Sequence, residues 1–382
     1  MNRVAAMQRV ADVRLVQPVP YMPVARPLPQ WARTASRQMH DVEILHAPML
    51  YVPGILKALD GMWLARSVAP IIHRLHRENP IDAIDAHFGY PEGAGCIRVA
   101  RRLGIPVFIT LRGFENEYLA KRGIGPQLAA AMRSSAGCLC VSHSLERLAL
   151  RHGVEADRIR VVHNAIDTAI FAPGDRDAAR RQLNLPPHRP LIVSVGHLVV
   201  RKRHHVLIDA FAKVRARHPD ATLVIIGAHA FERAYPDQLV SRARALGLQD
   251  SVRFPGNLPP QGVATWLRAA DTFALATARE GCCNAVLEAL ATGLPVVTTP
   301  AGDNTAFVQD NINGYIVPID DAEAMSKRLT EALFRSDWNR AEISARLLRQ
   351  VGDWDGVASR VLAFIDRRLA SSVDRLGARA AC

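Results

Sequence analysis

The amino-acid sequence predicts an α/β chain made of two Rossmann-like domains facing a central cleft. Three observations predict it. Short β-branched runs alternate with longer helical patterns along most of the chain. The alternation breaks at a segment rich in proline and charge, FAPGDRDAARRQLNLPPHRP, and then restarts. The length, 382 residues, exceeds the roughly 250–300 at which a single hydrophobic core stops growing.

In chain order, the first half offers strands at Val13–Gln17, Ile84–His87, Val107–Leu111, Cys138–Ser142 and Ile159–Val162. Gly54–Arg77 reads as a long amphipathic helix, and Gly93–Leu103 as a shorter one stopped by Gly104 and Pro106. The loop Pro18–Arg37 mixes aromatics, prolines and arginines without periodicity; it reads equally as a surface loop or as a rest for a lipid-linked or polymer ligand. Phe171–Pro190 is the expected linker. Beyond it come strands at Leu191–Val195, Thr222–Ile226, Val252–Phe254, Thr272–Leu275, Pro295–Thr299 and Tyr315–Val317. Helices at about His204–Arg217, Glu232–Leu246, Asn284–Ala291 and Ala322–Phe334 lie between them. The expected domains are residues 1–175 and 190–353, with a last helix at 354–370 crossing back onto the first domain.

Composition narrows the function classes. Apolar residues make up 49% and charged residues 22%, as in an ordinary globular chain. No uncharged apolar run reaches the roughly 18 residues of a spanning helix. The N-terminal MNRVAAMQRVADVRL carries charge throughout, unlike a signal peptide, so the chain reads as cytoplasmic. The six cysteines lack paired CxxC spacing and read as reduced, mostly buried thiols. The net charge of +12 divides evenly, +6 in residues 1–175 and +6 beyond. With no zinc finger or RNA-binding aromatic signature, a nucleic acid polymer is excluded as partner. The even positive field suits an anionic small substrate and permits peripheral contact with the inner face of an acidic membrane.

Two windows carry chemistry. In Ala274–Thr299 a strand ends in the polar loop TARE, followed by Gly281 and a helix starting near Asn284. Asn284 is the expected N-cap, leaving the amides of Cys282, Cys283 and Asn284 for an anionic or hydroxyl-rich ligand at the positive end of the helix. Glu280, just before this nest, is placed to accept hydrogen bonds from sugar hydroxyls, and Glu288, one turn up, to hold a second diol such as a ribose. The plainer alternative makes Glu280 part of a cap and Glu288 a solvated helix residue. In the second window, VSVGHLVVRKR, a buried strand runs into Gly196, and Arg201, Lys202 and Arg203 follow before a helix. Basic side chains at such a turn can clamp a diphosphate and neutralise it as it leaves; the alternative is an exposed basic helix start.

At these windows the sequence resembles the retaining family 4 glycosyltransferases of the GT-B fold. GHLVVRK stands where the family has G-(R/H)-L-x-x-x-K, and EGCCNAVLE (280–288) matches its E-x7-E motif. DAHFGYPEGAG, TLRGFE, VSHSL, HNAIDTAIFAP and VRFPGNLP support it, over about residues 10–370. The resemblance implies that Lys202, with Arg201, binds the donor phosphates and stabilises the leaving nucleoside diphosphate. It implies that Glu288 holds the ribose, that Glu280, Gly281 and the amides of Cys282–Asn284 hold the transferred sugar, and that Leu258 presents backbone to the base. Gly196 and His197 complete the donor set; many members have arginine where His197 stands, so Arg201 would carry more of the phosphate duty. The first domain would supply the acceptor site. Arg112 stands where other members place a histidine near the transferred sugar, and His87 and Glu92 are acceptor candidates, each with a core or surface role as alternative.

The implied reaction is a retaining transfer of a hexose-type sugar from a nucleotide-sugar donor to a glycan or lipid-linked acceptor in surface polysaccharide or glycolipid synthesis. The nucleotide-sugar is a substrate, and no separate cofactor is expected. No metal is expected either: the triplets Asp175-Arg176-Asp177 and Asp353-Trp354-Asp355 fall where helix capping accounts for them. One departure is noted. Members open with a buried strand and a glycine-containing loop, whereas Met1–Val10 reads as the end of the helix that follows these. The expectation is an N-terminally truncated first domain and a chain poorly stable or poorly active; robust transfer with cooperative unfolding would refute it. A degenerate paralogue that binds nucleotide-sugar without efficient turnover is therefore the alternative function, with a non-transferase GT-B enzyme such as an epimerase behind it.

Overall fold

The computed structural model describes residues 2–380 other than 24–25, 40–41, 53, 55, 229–231 and 233, and for 372–380 the backbone alone. Those parts of the loop read at Pro18–Arg37 and of the helices read at Gly54–Arg77 and Glu232–Leu246, together with Cys382, lie outside the described residues. The chain forms two units, Met1–His163 with Trp354–Cys382, and Asn164–Asp353.

The first unit runs α1 (Asn2–Gln8), β1 (Leu15–Tyr21), β2 (Ser36–Met39), β3 (Val42–Leu50), α2 (Asp60–Glu78), β4 (Ile84–His87), α3 (Ala94–Leu103), β5 (Val107–Leu111), α4 (Glu115–Leu119), α5 (Gly125–Ser134), β6 (Gly137–Cys140), α6 (His143–Arg151) and β7 (Ile159–Val161). Its strands make two sheets. One is parallel, in the order β4-β5-β6-β7; the other has β3 between a parallel β1 and an antiparallel β2. The chain's last helix, Trp354–Ala380, belongs to this unit. Its Phe364 meets Phe108 edge-on at 5.9 Å and covers Gly137, where a Cβ would come within 2.9 Å of the ring. From α1, the buried Arg3 reaches Asp85 at 2.6 Å and Thr110 at 3.3 Å.

Several sequence expectations change here. The first strand extends through Pro18 and Pro20 to Tyr21, which an edge strand tolerates because a missing N–H on its outer side breaks no ladder. β2 and β3 lie in a stretch for which no strand is expected. The long helix starts at Asp60 rather than Gly54, after a 3-10 turn at Lys57–Leu59.

The second unit runs α7 (Arg176–Gln182), β8 (Leu191–Val195), α8 (His204–Arg217), β9 (Thr222–Ile226), α9 (Ala234–Ala245), β10 (Val252–Gly256), α10 (Pro260–Ala269), β11 (Thr272–Leu275), α11 (Asn284–Ala291), β12 (Val296–Thr298), α12 (Asn304–Phe307), β13 (Gly314–Ile316), α13 (Ala322–Phe334) and α14 (Arg340–Val351). Its sheet is parallel throughout, in the order β10-β9-β8-β11-β12-β13. Both faces are covered, which explains why LIVSV and TLVII are apolar at nearly every position. Alternate side chains part between two cores: Leu191, Val193 and Val224 with residues of α10, α11 and α14, and Ile192, Leu223 and Ile225 with residues of α8, α9 and α13. The strand order reverses direction between β8 and β11, so the loops leaving these two neighbours diverge and leave a crevice at their carboxyl ends.

The expected linker is not a bare connection. Asp175 caps α7 by accepting from the amides of Asp177 (2.9 Å) and Ala178 (3.0 Å). From α7, Arg180, only 1% exposed, donates to the carbonyls of Ala269, Pro186, Pro187 and Arg189 and to Asp271 at 2.8 Å. Asp271 also accepts from Arg176 at 2.7 Å and from the Leu191 amide at 2.8 Å, so one carboxylate fastens the proline-rich segment to the start of β8 and the entry to β11. Removing one partner of such a pair leaves the other charge buried and uncompensated. Asp271→Ala should therefore lower stability by about 3 kcal/mol or more, read as a shifted urea midpoint at unchanged m-value.

Candidate active site

The crevice at the β8–β11 junction collects most of the residues expected to bind a donor. β8 runs into Gly196, and the side chain of Lys202 lies across this glycine: a Cβ there would sit 3.2 Å from Lys202 Cε. Lys202 closes the 3-10 turn Val200–Lys202 and is 7% exposed. Its Nζ lies 2.6 Å from Glu280 Oε1. That carboxylate also accepts from Thr277 Oγ1 at 2.9 Å and faces Arg201 Nη1 at 3.5 Å, while Arg201 Nη1 donates to the Arg279 carbonyl at 3.2 Å. The Ala278 amide donates back to the Arg201 carbonyl at 2.9 Å, so backbone and side chains tie the two loops together.

Further residues, none of them expected from the sequence, hold this geometry. Gly302, at φ +64°, packs against the Glu280–Gly281 backbone; a Cβ would meet the Gly281 carbonyl at 2.6 Å. At the end of β9, a Cβ on Gly227 would strike the Gly196 carbonyl at 1.9 Å. His204 is fully buried and donates from Nε2 to the His197 carbonyl at 3.3 Å. Burial, then the Lys202 charge, pushes its pKa down to about 3, so it is a neutral pin for the loop carrying the exposed His197. A PAGDN-type turn and a histidine at a helix start are too common to single out by eye.

The start of α11 corrects one expectation. The N-cap is Cys283, not Asn284, and no side chain caps this end. The Asn284 amide is already used, donating to the Cys282 carbonyl at 3.1 Å, and its side-chain oxygen accepts from Asn164 at 2.9 Å. The expected nest is thereby reduced to the amides of Cys282 and Cys283. Burial, then Glu280, pushes the Cys283 thiol up to about 12, which keeps it neutral. Glu288 stands one turn along α11, where burial pushes its carboxyl up to about 7 against the pull of Lys202. Leu258 follows β10 and is partly buried against the core that holds α11.

In the first unit, Arg112 and His87 meet at the carboxyl ends of β5 and β4. Arg112 Nη1 lies 3.2 Å from His87 Nδ1, and His87 Nε2 lies 3.3 Å from Asp85. Burial opposes a charge on Asp85, but Arg3, His87 and Thr110 overcome it and hold the carboxyl well below its usual range. Because a guanidinium can only donate, His87 Nδ1 is the acceptor in its contact with Arg112, and its Nε2 faces the Asp85 carboxylate. Glu115, 1% exposed and not expected from sequence, accepts from the Arg112 amide at 3.1 Å and the Gly113 amide at 2.6 Å, fixing the TLRG turn. Glu92 follows the strained Phe88, at φ +76°; burial, then nearby Glu115 and Asp60, pushes it up to about 7.

With this geometry in place, comparisons with known proteins define the class. The profile described as Glycosyl transferases group 1 matches residues 175–345, and Glycosyltransferase Family 4 matches residues 33–170. The D-inositol 3-phosphate glycosyltransferase of Acidothermus cellulolyticus is 30% identical over 325 residues, 78% of this chain and 70% of that one. Alignments to other proteins of that name span between 45% and 78% of their length. Sucrose-phosphate synthase from Thermosynechococcus elongatus superposes with a TM-score of 0.79 at 17% identity, covering 97% of this chain and 92% of the other. Anabaena HepE in complex with UDP-glucose gives 0.71 at 20% identity, covering 87% of each. The fold is thus GT-B, and the protein is a glycosyltransferase. It belongs to glycosyltransferase family 4.

The raised pKa of Glu288 has a measurable sign. Between its usual 4.5 and about 7 the folded chain holds a proton that the unfolded chain has released, so stability falls as pH rises through that window. Glu288→Gln should remove this contribution, on the order of 1–3 kcal/mol. Urea midpoints at pH 5 and pH 8 should separate less in the variant than in the parent; parallel pH profiles would refute the assignment.

Proposed function

We propose that the protein is a retaining hexosyltransferase, moving a hexose-type sugar from a nucleotide-sugar to a glycan or lipid-linked acceptor in surface polysaccharide or glycolipid synthesis. The observation that carries this reading is the cluster of Lys202, Arg201, Glu280 and Glu288 around one strand junction. In this reading Lys202 and Arg201 take the diphosphate, with Gly196 and His197 shaping the loop under it. Glu288 accepts from the ribose diol, Leu258 meets the base with its backbone, and Glu280, Gly281 and the amides of Cys282 and Cys283 hold the sugar. As the C1–O bond to phosphate breaks, the electron pair leaves with the diphosphate, where two cations stabilise it. The acceptor oxygen bonds to C1 on the same face, and its proton passes to the departing phosphate oxygen. Leaving-group charge is met by side chains in this scheme. Arg112 would lie near the transferred sugar, and His87 and Glu92 near the acceptor.

HepE is known with UDP-glucose, and the curated relatives are named for D-inositol 3-phosphate; both are first compounds to try here. The location proposed is cytoplasmic, with peripheral contact at the membrane's inner face. Among the described residues, no helix is long and apolar enough to cross a membrane.

A screen of UDP-, GDP- and ADP-sugars tests the donor assignment. A cognate donor at 100 times its Kd should stabilise the fold by about 2.7 kcal/mol and raise the melting midpoint, and Glu288→Ala should lose that shift. Lys202→Ala should cut transfer of radiolabelled sugar by roughly 10²–10³-fold. Absence of a shift with every donor would overturn the reading, and a shift without transfer would favour the non-catalytic paralogue.

A further inference from the structure

Thr277 lies in the loop after β11, three residues before Glu280, and is fully buried. A threonine three residues ahead of a glutamate has the spacing of a helix capping box. Here the segment Thr277–Glu280 is loop, and α11 starts only at Asn284, so the two side chains serve each other instead of a helix end. Thr277 Oγ1 is 2.9 Å from Glu280 Oε1, against 3.2 Å from the Arg279 carbonyl and 3.3 Å from the Arg201 carbonyl. A hydroxyl has one hydrogen to give, and the charged acceptor at the shortest distance takes it.

Thr277 is itself held from behind. Thr299 Oγ1 donates to the Thr277 carbonyl, and Asn304 Nδ2 donates to the Thr299 carbonyl at 3.1 Å. Thr277, Thr299 and Asn304 are each no more than 1% exposed. Gly302 closes in on the glutamate stem, since a Cβ there would come within 3.0 Å of Glu280 Cβ.

The two oxygens of Glu280 are thereby divided. Oε1 faces Lys202 Nζ at 2.6 Å, Thr277 Oγ1 and, at 3.5 Å, Arg201 Nη1. Oε2 has no hydrogen bond among the described residues and is not one of the buried unpartnered atoms, so it is open to a ligand. The terminal torsion of a glutamate is broad, and lysine and arginine hold it from long, flexible stems. The short, buried threonine is the fixed point that keeps the two oxygens from exchanging places.

We infer that Thr277 is a positioning residue for the donor sugar: its hydroxyl fixes Glu280 Oε1, which turns Oε2 toward the sugar hydroxyls. The inference rests on the transferase reading above and adds to it a residue that touches no substrate.

The test uses the full chain and titration calorimetry with three pairs of probes: UDP-glucose and UDP, GDP-mannose and GDP, ADP-glucose and ADP. The quantity read is the ratio of the sugar-nucleotide Kd to the diphosphate Kd. In a pair that the unmodified chain binds, Thr277→Val should raise this ratio about fivefold or more, with the diphosphate Kd itself within about twofold of the parent. Thr277→Ser, which keeps the hydroxyl, should restore the parent ratio. In a Glu280→Ala background, Thr277→Val should leave the ratio unchanged, because its effect passes through the missing carboxylate. An unchanged ratio in Thr277→Val, an equal rise in the Glu280→Ala background, or no rescue by serine would each overturn the inference. If Thr277→Val no longer binds the diphosphate, Thr277→Ala is read in its place; loss of diphosphate binding in both would make the hydroxyl a structural group and overturn the inference too. Failure of the unmodified chain to bind any of the three sugar nucleotides would sink the transferase reading instead.

Discussion

The pairing of Lys202 with Glu280 is the contact on which the donor half of this molecule depends. It sits where the strand order of the parallel sheet reverses, so it joins the loop after β8 to the loop after β11. Two charges buried together recover their desolvation cost only when the geometry is tight and the remaining lone pairs are used. Thr277 and Arg201 satisfy that condition at Glu280, and Gly196, Gly227 and Gly302 supply the close approaches that let the loops meet. Behind them, the Thr298 hydroxyl bonds to the Leu275 carbonyl, and Asn304 donates to Thr298 and Thr299. The charges are therefore held by a rigid frame. A site of this kind needs little rearrangement to meet a developing negative charge, which is the main advantage of preorganised electrostatics.

The first unit follows the same logic with different parts. Glu115 spends both oxygens on the backbone of the TLRG turn, and Asp85 spends its own on Arg3, Thr110 and His87. The result is a guanidinium, Arg112, aimed by its histidine neighbour and by its own anchored amide. Buried carboxylates in this unit are fully employed wherever they orient another group. Among the described residues of this unit, Asp60 and Glu92 each keep a buried oxygen without a hydrogen-bond partner.

How much of this could be read in advance varies with the physics involved. The second unit was legible because its parallel sheet is covered on both faces, giving near-continuous apolar runs such as LIVSV and TLVII separated by helices. The family resemblance, rather than spacing, assigned Lys202, Glu280 and Glu288 to one site, and the structure brings Lys202 and Glu280 into contact. The first unit was less legible at its start: prolines 18, 20 and 48 interrupt strand patterns, yet β1 is an edge strand, and β3 carries Pro48 at an exposed position. The segment 171–190 misled because prolines and arginines usually mark a solvated connection. Arg180 is buried among five acceptors, three from the segment's own far end and two from Ala269 and Asp271 about ninety residues on, and that convergence is not encoded in a local pattern. Asn284 misled for the opposite reason. Its type suits an N-cap, but Asn164, 120 residues away, claims its side chain, and the helix begins one residue earlier without a cap.

That uncapped start is itself informative. A helix whose first turn gains no side-chain cap gives up about 1 kcal/mol that Ser, Thr or Asp at position 283 would supply. Cys283 instead packs into the core beside Val286 and Leu287, with its thiol kept neutral. A capping oxygen there would occupy the amides at the helix start and place a competing acceptor where an anionic or hydroxyl-rich ligand would sit. In the proposed donor site, a ligand bound here would supply the cap that the chain itself does not. Donor binding and local order at Glu280–Glu288 should then rise together, coupled through the same backbone groups.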